Sequence, residues 1–578
     1  MIDTSVISPN SPPVIEDRAV PETPAQGERF FLLLAIFIGI FSGLAVVCFR
    51  ITIDFLRIEL LGSSVTPTFP RILLAPALTG IVAALLVMFV FPRVRGSGVN
   101  QTKSALYIYD GYIPFRTAIG KFICSALAIG SGQSLGPEDP SLQVGASIAS
   151  VLGRRFELTR ERLRLIAPVG AAAGLAAAFN SPISAILFVI EEVIGRWTAG
   201  FLGAVVLSAV SSVVVSRYFL GSEPLFRIPA VQFTAPSELL AYAALGIIGA
   251  FASVVFAKAI QFLRPRMKAL PAWTQFFQPA LAGLIIGAIG LAGRPEIMGA
   301  GYEFMDQAMH DQFPWKILAI LAGLKILTTV LSFVSGTPGG MFAPTLFIGA
   351  MLGGAVGSVA RMFIPHLSGS IGTYALVGMG VLFAGFLRVP MTSVFMVLEV
   401  SGNYSIILPV ILANTLSYLI SRNLQPVPIF DLLSQQDGLG LPSMEEQREE
   451  RVLRVEDAMR SVDVPVIDSQ IPADEALRVA EEQGAAEILV DDPPFGWSSL
   501  TVGALRDAVE QSPSEPTVAS LLSEPHMPPI HPDHSLDFVL RHISQWPFLP
   551  VTHRANSRRI VGLITMNDVM KAFDRSLQ

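Results

Sequence analysis

Long apolar runs, separated by short polar segments, occupy the chain from about residue 28 to residue 435. The first run extends from Phe30 to Phe49 and continues amphipathically through Leu60, and the second extends from Ile72 to Phe91. A helix that crosses a bilayer perpendicularly needs roughly 20 apolar residues. Both runs therefore predict membrane-spanning helices, and the greater length of the first predicts a tilt.

The remaining apolar runs differ in length. They predict helices over 115–129, 142–152, 166–179, 181–194, 201–219, 238–262, 276–292, 315–334, 345–363, 373–387, 389–400 and 405–420. Several of these are too short for a full crossing. Broken helices at membrane depth are tolerated only where they are buried in protein or line water. The pattern therefore places function at helix ends inside the membrane.

The apolar part contains an internal repeat. The stretch GPEDPSLQVG, residues 136–145, aligns with GMFAPTLFIG, residues 340–349. A longer block, residues 167–192, aligns with residues 375–400, so that Glu191 meets Glu399. Two homologous halves, about 28–220 and 237–421, with interrupted apolar segments predict a membrane transporter whose site lies between the repeats.

Composition supports a membrane protein. Charged residues make up 15% of the chain, whereas soluble domains have roughly 25%, and the mean hydropathy is +0.57. The net charge of −6 argues against nucleic acid as a partner. The two cysteines, Cys48 and Cys124, both lie in apolar segments, so neither a disulfide framework nor a metal site is predicted.

Polar segments flank the apolar part. Residues 1–27 are rich in proline, serine and acids, which predicts a disordered tail rather than a signal peptide. Residues 436–453 predict a polar linker. From residue 454 onward, strand-like and helical segments alternate, and the order β-α-β-β-α occurs twice, over 454–513 and 517–575.

The stretch Gly136–Gly145 carries the chemistry on which the functional prediction depends. Glu138 and Asp139 precede Pro140, which suits the first turn of a helix. Amides at a helix start and hydroxyl groups can replace the hydration of an anion without trapping it. Three stretches offer such groups: Ser97 with its flanking glycines, the amides around Glu138, and the amides of Met341, Phe342 and Ala343.

Coupling to protons needs carboxylates. One carboxylate must occupy the anion site when charged and leave it when protonated, and Glu138 fits this requirement. A second must carry the proton by a separate path, and Glu192, at a helix end, fits it. The repeat partner of Glu192 is Val400, so the shared scaffold does not itself require this acid.

These residues resemble the signature motifs of the CLC chloride channels and chloride/proton exchangers. Gly96-Ser97-Gly98 resembles the motif GSGIP, residues 136–140 resemble GREGP, and residues 339–344 resemble GxFxP, all in the family's order. The resemblance covers roughly residues 28–435. It implies an all-α polytopic membrane protein with an inverted-repeat fold and broken helices, which forms a homodimer with one pathway per subunit.

The resemblance also implies roles for individual residues. Ser97 and Gly98, with the amides of Met341 and Phe342, match the chloride-binding positions, and Glu138 matches the external gating glutamate. Glu192 matches the internal proton glutamate that marks many exchangers. Lys121 matches a buried lysine, for which a functional role and a structural one both stay open.

Four positions depart from the family pattern. Pro137 and Asp139 replace an arginine and a glycine on either side of the gate, and both changes should weaken anion binding there or alter the titration of Glu138. The motif of Ser97 continues as Val99-Asn100 without its proline. Phe430 stands in place of a tyrosine whose hydroxyl reaches the central chloride, which predicts an apolar plug.

The two C-terminal copies resemble a pair of CBS domains, an α/β module. Thr565 and Asp568, in GLITMNDV, have the spacing with which CBS domains bind an adenosyl ribose and phosphate. In the first copy, Asp507 is retained, but Ala504 replaces the hydroxyl residue. The resemblance therefore allows adenine nucleotide at one site at best. A purely structural dimerisation pair is the alternative.

The leading hypothesis is a proton-coupled chloride exchanger with Glu138 as gate and Glu192 as proton relay. A passive chloride channel on the same scaffold is the alternative, and a regulatory protein that senses nucleotide is a third hypothesis. No enzyme motif lies in a suitable context, so we predict no enzymatic activity.

The hypothesis also fixes partners and location. The predicted partners are chloride, protons, the lipid bilayer and a second copy of the chain. The predicted location is a prokaryotic inner membrane with both termini cytoplasmic. The cytoplasmic side is favoured for the cluster Arg154, Arg155, Arg160, Arg162 and Arg164.

Overall fold

The computed structural model describes residues 24–62, 69–195, 199–222, 226, 238–363, 370–442, 453–493, 496–511, 516–522 and 526–576. The chain divides into two compact units, Met1–Asp437 and Gly438–Gln578. The division falls between residues 437 and 438. Most of the predicted tail and most of the predicted linker, residues 443–452, lie outside the described residues.

The first unit is helical. Its helices are α1 (Pro24–Leu61), α2 (Arg71–Leu85), α3 (Gly98–Tyr107), α4 (Phe115–Gly130), α5 (Glu138–Arg155), α6 (Arg160–Phe179), α7 (Pro182–Phe188), α8 (Ala199–Leu220), α9 (Glu238–Ala269), α10 (Gln278–Leu291), α11 (Tyr302–Met309), α12 (Trp315–Val334), α13 (Phe342–Phe363), α14 (Ile371–Leu382), α15 (Pro390–Ser401), α16 (Ile407–Leu424) and α17 (Ile429–Gln436). Helices α2, α7 and α14 continue into π-helical turns at Leu86–Val90, Val189–Ile194 and Phe383–Leu387.

The second unit has the predicted β-α-β-β-α order in its first copy, whereas among the described residues the second copy has the order α-β-β-α. Its elements are α18 (Val455–Ala458), β1 (Val466–Asp468), α19 (Ala473–Glu482), β2 (Glu487–Asp492), β3 (Gly496–Thr501), α20 (Val502–Gln511), α21 (Leu536–His542), β4 (Leu549–His553), β5 (Asn556–Ile564) and α22 (Met566–Ser576). Strand β2 pairs parallel with β1 and antiparallel with β3. In the second copy β4 pairs antiparallel with β5, and the parallel partner is reduced to one bridge between Ile530 and Val551.

The predicted membrane segments are confirmed as helices, with differences at their ends. Within the described residues, eight helical segments are long and apolar enough to cross a membrane. Helix α1 includes residues 24–27, which the sequence assigned to the tail. Helices α3 and α11 were missed, since a mean hydropathy pattern does not register short helices that are buried in protein rather than lipid.

The two repeats cap each other's helices. The Glu191 carboxylate accepts hydrogen bonds from the amide and hydroxyl of Thr392 at the start of α15, at 3.0 and 2.8 Å. Its repeat partner Glu399 accepts from the amide of Ser184 in α7 at 2.8 Å, and also from the amide of Ile183 at 3.0 Å. Free amides at a helix start favour an anionic partner, so each half supplies the cap that the other half needs.

Close backbone contacts also occur twice. A Cβ atom on Gly145 would lie 2.2 Å from the carbonyl oxygen of Gly170, where α5 crosses α6. A Cβ atom on Gly349 would lie 2.3 Å from the carbonyl oxygen of Gly378, where α13 crosses α14. Small residues permit this approach of membrane helices, and they let α5 and α13 enter the protein centre.

We expect Gly349→Ala to reduce the free energy of unfolding by about 1–3 kcal/mol, because the added methyl group overlaps a backbone oxygen that cannot move freely. The measurement is the thermal unfolding of the purified chain in detergent. Gly323→Ala is the matched control, since a Cβ atom there meets nothing within 4 Å. An unfolding temperature for Gly349→Ala at or above that of the unmodified protein would contradict the prediction.

Candidate anion and proton sites

The two aligned stretches meet at a pair of glycines. The amide of Gly136 donates to the carbonyl of Gly340 at 2.8 Å, and the amide of Gly340 donates to the carbonyl of Gly136 at 2.8 Å. Helix α5 begins two residues after the first glycine and α13 begins two residues after the second. The amide-bearing ends of both helices therefore lie together inside the protein, where each favours negative charge.

Glu138 lies on this junction and is fully buried. Its Oε2 atom accepts a hydrogen bond from the amide of Ala343, in the first turn of α13, at 3.3 Å. Its Oε1 atom accepts from the hydroxyl of Tyr302, the first residue of α11. The carboxylate thus fills an anion position at the start of α13, directly beside Met341 and Phe342.

Asp139 contacts a different helix. One carboxylate oxygen accepts from the hydroxyl of Ser97 at 2.9 Å and from the amide of Val99 at 3.1 Å, and the other accepts from the amide of Gly98 at 2.9 Å. The side chain is 2% exposed. Two adjacent acids therefore face two separate sets of donors, Glu138 at α13 and Asp139 at the start of α3.

Neither acid forms a close ion pair in the ranges that the structure describes, although Lys121 attracts Asp139 from a longer distance. No ion pair within 4.0 Å involves Glu138 or Asp139 there. A buried charge is stable only where hydrogen bonds replace its hydration. The donors on α3, α11 and α13 therefore carry the stabilisation of both carboxylates.

Aromatic rings line the region of Phe342. Its ring centroid lies 5.0 Å from that of Phe188, 5.7 Å from Phe383 and 6.2 Å from Phe430. Phe430 is buried, as an apolar plug requires. Asn100, which stands where the motif has proline, donates from Nδ2 to the carbonyl of Phe430 at 2.9 Å and so ties α3 to α17.

Glu192 belongs to a buried ionic triad. The Lys103 ammonium, on α3, donates to Oε1 of Glu192 at 3.0 Å and to Oδ1 of Asp431 at 3.1 Å. The side chains are 0%, 0% and 7% exposed for Lys103, Glu192 and Asp431. The other oxygens, Oε2 of Glu192 and Oδ2 of Asp431, have no hydrogen-bond partner among the described residues.

Helix α3 connects this triad with the hydrogen-bond donors that Asp139 contacts. Ser97 precedes its first residue, and Lys103 lies six positions later, which corresponds to a rise of about 9 Å along a helix. The Asp139 contact and the Glu192 contact therefore occupy the beginning and the middle of one short helix.

Lys121 has a structural environment. Its ammonium donates to the carbonyls of Val94 and Gly96 at 3.3 and 2.8 Å, in the segment that leads into α3. Lys325, on α12, donates in the same way to the carbonyls of Ile297 and Gly299 at 2.9 and 2.7 Å, in the segment that leads to α11. Each lysine holds the loop before a short helix, which favours the structural role over the functional one.

Sequence reasoning missed Tyr302, Lys103, Asp431 and Lys325. Signals were present for two of them. Lys325 occupies the repeat position of Lys121, and Lys103 is a charge in a segment too polar to face lipid. Tyr302 and Asp431 lie far in sequence from their partners, so only the fold reveals their contacts.

In the second unit, Thr565 and Asp568 cap α22. Asp568 accepts from the hydroxyl and the amide of Thr565 at 2.6 and 3.0 Å, and its amide donates back to the Thr565 hydroxyl at 3.3 Å. Arg460 lies 3.4 Å from the same carboxylate. The two residues therefore lie together at a helix start, as their spacing predicts.

A similar cap in the first copy corrects the predicted alignment of the two copies. Thr501 accepts from the amide of Ala504 at 3.2 Å at the start of α20, so Thr501 corresponds to Thr565 and Ala504 to Asp568. Asp507 was aligned with Asp568, but it lies three residues further along α20 and is exposed. The first copy therefore retains the hydroxyl of the cap and lacks its carboxylate, the reverse of the prediction.

Buried histidines in this unit carry no charge at neutral pH. Burial and the nearby Arg554 lower the pKa of His534 to about 3. Burial also lowers the pKa of His531. Neither imidazole therefore offers a positive charge to a phosphate group.

The fold and the site together define a class of protein. Two inverted halves of broken helices, with carboxylates placed on helix starts inside the membrane, are the architecture of a membrane transporter. A model of the family described as voltage gated chloride channel matches residues 79–422, and a model of the CBS domain matches residues 518–575.

Similar proteins support the same class. The H(+)/Cl(-) exchange transporter ClcA of Vibrio campbellii is 32% identical over 415 residues, which cover 70% of this chain and 88% of that protein. ClcA of Salmonella paratyphi B is 31% identical over 418 residues, covering 70% and 87%. This chain belongs to the voltage gated chloride channel family, the CLC family.

Solved structures match the fold. A slow cyanobacterial Cl−/H+ antiporter has a TM-score of 0.65 at 24% identity and covers 73% of this chain and 99% of that one. A eukaryotic CLC transporter has a TM-score of 0.63 at 18% identity and covers 93% and 97%. The predicted fold class, an all-α CLC-like membrane part followed by an α/β CBS pair, is confirmed.

We expect Lys103→Met to reduce the free energy of unfolding by about 3–5 kcal/mol, because it leaves two buried carboxylates without a cation. Thermal unfolding in detergent measures the change, and Lys316→Met, at an exposed lysine, is the matched control. The triple variant Lys103→Met, Glu192→Gln, Asp431→Asn should recover much of the loss. A single variant as stable as the control would contradict the prediction.

Proposed function

We propose that this chain is a proton-coupled chloride exchanger in which Glu138 is the gate and Glu192 the proton relay. The observation that carries the proposal is the hydrogen bond that the Glu138 carboxylate accepts from the amide of Ala343. A titratable acid there occupies an anion position when it is charged, and releases the position when it is protonated. The relatives named as H(+)/Cl(-) exchange transporters support the same activity.

Chloride would be bound by uncharged donors. The first amides of a helix have no acceptor within the helix, so Met341 and Phe342 can offer theirs at the start of α13. The Ser97 hydroxyl and the Gly98 amide add donors at the start of α3. Phe430 contributes a ring and no hydroxyl, which leaves the site with fewer hydrogen bonds to chloride.

The triad supports the relay role of Glu192. One ammonium faces two carboxylates at bonding distance, so the group carries a net charge of −1 when both acids are ionised. Burial penalises that charge, and one added proton makes the triad neutral. The oxygens without a hydrogen-bond partner, on Glu192 and Asp431, are positions where such a proton can reside. Asp431 would therefore share the proton with Glu192.

A passive chloride channel on the same scaffold is the second candidate. The loss of the Phe430 hydroxyl and the altered residues beside Glu138 are the observations that favour it. The two candidates differ in one quantity, which is the proton movement that accompanies chloride flux.

Purified protein in liposomes tests the choice. A chloride gradient should drive protons uphill, measured with a pH electrode beside a chloride electrode. We expect Glu192→Gln to reduce proton movement about tenfold or more while chloride still flows, because its side chain cannot titrate. Glu161→Gln, at an exposed acid, is the control. Chloride flux without protons in the unmodified protein would select the channel, and unchanged proton movement in Glu192→Gln would remove the relay role.

The proposal includes an assembly and a location. The family resemblance supports a homodimer in a prokaryotic inner membrane. The arginines that begin at Arg154 favour the cytoplasm for the loop between α5 and α6, and cytoplasmic termini follow from the same resemblance.

Adenine nucleotide at Thr565 and Asp568 is a further part of the proposal, with a purely structural CBS pair as its alternative. Titration calorimetry of the full chain with ATP, ADP and AMP should give a binding signal that Asp568→Ala weakens about tenfold or more, since a charged hydrogen-bond partner is lost. Asp507→Ala, on the exposed face of α20, should change nothing. No signal with any of the nucleotides would select the structural pair.

A further inference from the structure

The Asp139 carboxylate contacts a different set of hydrogen-bond donors from the Glu138 carboxylate. Its carboxylate accepts from one hydroxyl and two amides, those of Ser97, Gly98 and Val99. These are the uncharged donors with which a protein binds an anion reversibly. The acid therefore occupies the donors of α3 that the chloride site requires.

The position of Asp139 is fixed by the junction of the repeats. A Cβ atom on Gly340 would lie 2.7 Å from the Cβ atom of Asp139, so the backbone just before α13 lies against this side chain. On the other side, a Cβ atom on Gly98 would lie 2.5 Å from the Asp139 carbonyl oxygen. The two glycines hold Asp139 between the starts of α3 and α13, which are the two helices that offer chloride donors.

We propose that Asp139 is a second, independent gate, and that chloride binds at Ser97 only after the Asp139 carboxylate has left the start of α3. The inference rests on the proposed function and adds a residue to it. Glu138 occupies the donors at α13, and Asp139 occupies the donors at α3, and each carboxylate excludes chloride from them.

Charge balance gives the release step. A chloride ion 4 Å from a retained carboxylate binds more weakly by about three orders of magnitude at an effective dielectric constant of 20. The carboxylate therefore has to turn away from the start of α3 before chloride can take its three donors. The exchange leaves one negative charge at the start of α3, that of chloride in place of that of the carboxylate.

The groups that surround Asp139 are few. Glu138 precedes it on α5, Tyr302 on α11 bonds to Glu138, and Lys121 on α4 bonds to the carbonyl of Gly96. Lys121 is buried and attracts Asp139 electrostatically, but its ammonium donates to backbone oxygens. It therefore stabilises the segment before Ser97 without forming an ion pair with Asp139.

A purely structural role is the competing explanation, in which Asp139 only caps α3. A cap contributes to folding, so its loss lowers stability, but a cap has no reason to compete with chloride. The decisive quantity is therefore the affinity for chloride and its dependence on Ser97, not stability.

Titration calorimetry with sodium chloride on the full chain, in chloride-free detergent solution, measures that affinity. We expect Asp139→Asn to lower the Kd for chloride at least about tenfold, since the isosteric amide removes the competing charge. Adding Ser97→Ala to this variant should abolish the gain. Asp110→Asn, at an acid that pairs with Arg160 near the surface, is the matched control and should leave the Kd unchanged.

Two further variants keep the test decisive. Asp139→Ser also lacks charge and has a smaller side chain, so it replaces Asp139→Asn if that variant does not fold. Glu138→Gln should raise chloride affinity independently of Ser97, because Glu138 bonds to Ala343 and Tyr302. A Kd in both Asp139 variants equal to that of the unmodified protein, or a gain that persists without Ser97, would overturn the proposal.

The two proposals fail separately. If the unmodified protein moves no protons with chloride in liposomes, the exchanger proposal is wrong, and the calorimetry still decides the role of Asp139. If coupling is present but Asp139→Asn leaves the Kd unchanged, only the second gate is wrong.

Discussion

Two backbone hydrogen bonds between Gly136 and Gly340 hold the centre of the membrane unit together. A single pair of this kind is worth only about 1–3 kcal/mol. Its importance lies in position, because α5 and α13 both begin immediately after it. A Cβ atom on Gly136 would lie 2.4 Å from Oε2 of Glu138, so the same contact that joins the halves also sets where the Glu138 carboxylate lies.

The rest of the unit repeats this mutual dependence. Glu191 caps α15 and Glu399 caps α7, while Lys121 and Lys325 each hold the loop before a short helix. Neither half can satisfy its buried amides and carbonyls alone. In a medium without water, where each unsatisfied group is costly, this reciprocity makes the two halves one folding unit.

The sequence predicted the frame of the fold well and the side-chain contacts of the site less well. Hydropathy and the internal repeat were sufficient for the membrane helices, the division into two units and the alignment of Glu191 with Glu399. They did not register α3 and α11, whose polar faces are buried in protein. Asp139 was expected beside Glu138, yet its carboxylate bonds to Ser97, since adjacent residues on a helix point in different directions. The cap of α20 could not be aligned correctly with the cap of α22 either. The boundary between strand and helix defines each cap, and composition does not show where this boundary lies.

Helix α3 contacts both the acid that we propose as a second chloride gate and the acid that we propose as the proton relay. Asp139 holds its first residues, and Lys103 holds Glu192 and Asp431 about two turns later. A displacement of α3 that frees its amides also changes the distance between the ammonium and its two acids. If Asp139 gates chloride and Glu192 takes up the proton, as we propose, the affinities for the two ions share one coupling free energy. Linkage makes this reciprocal: whatever factor a bound anion applies to proton affinity, a bound proton applies to anion affinity.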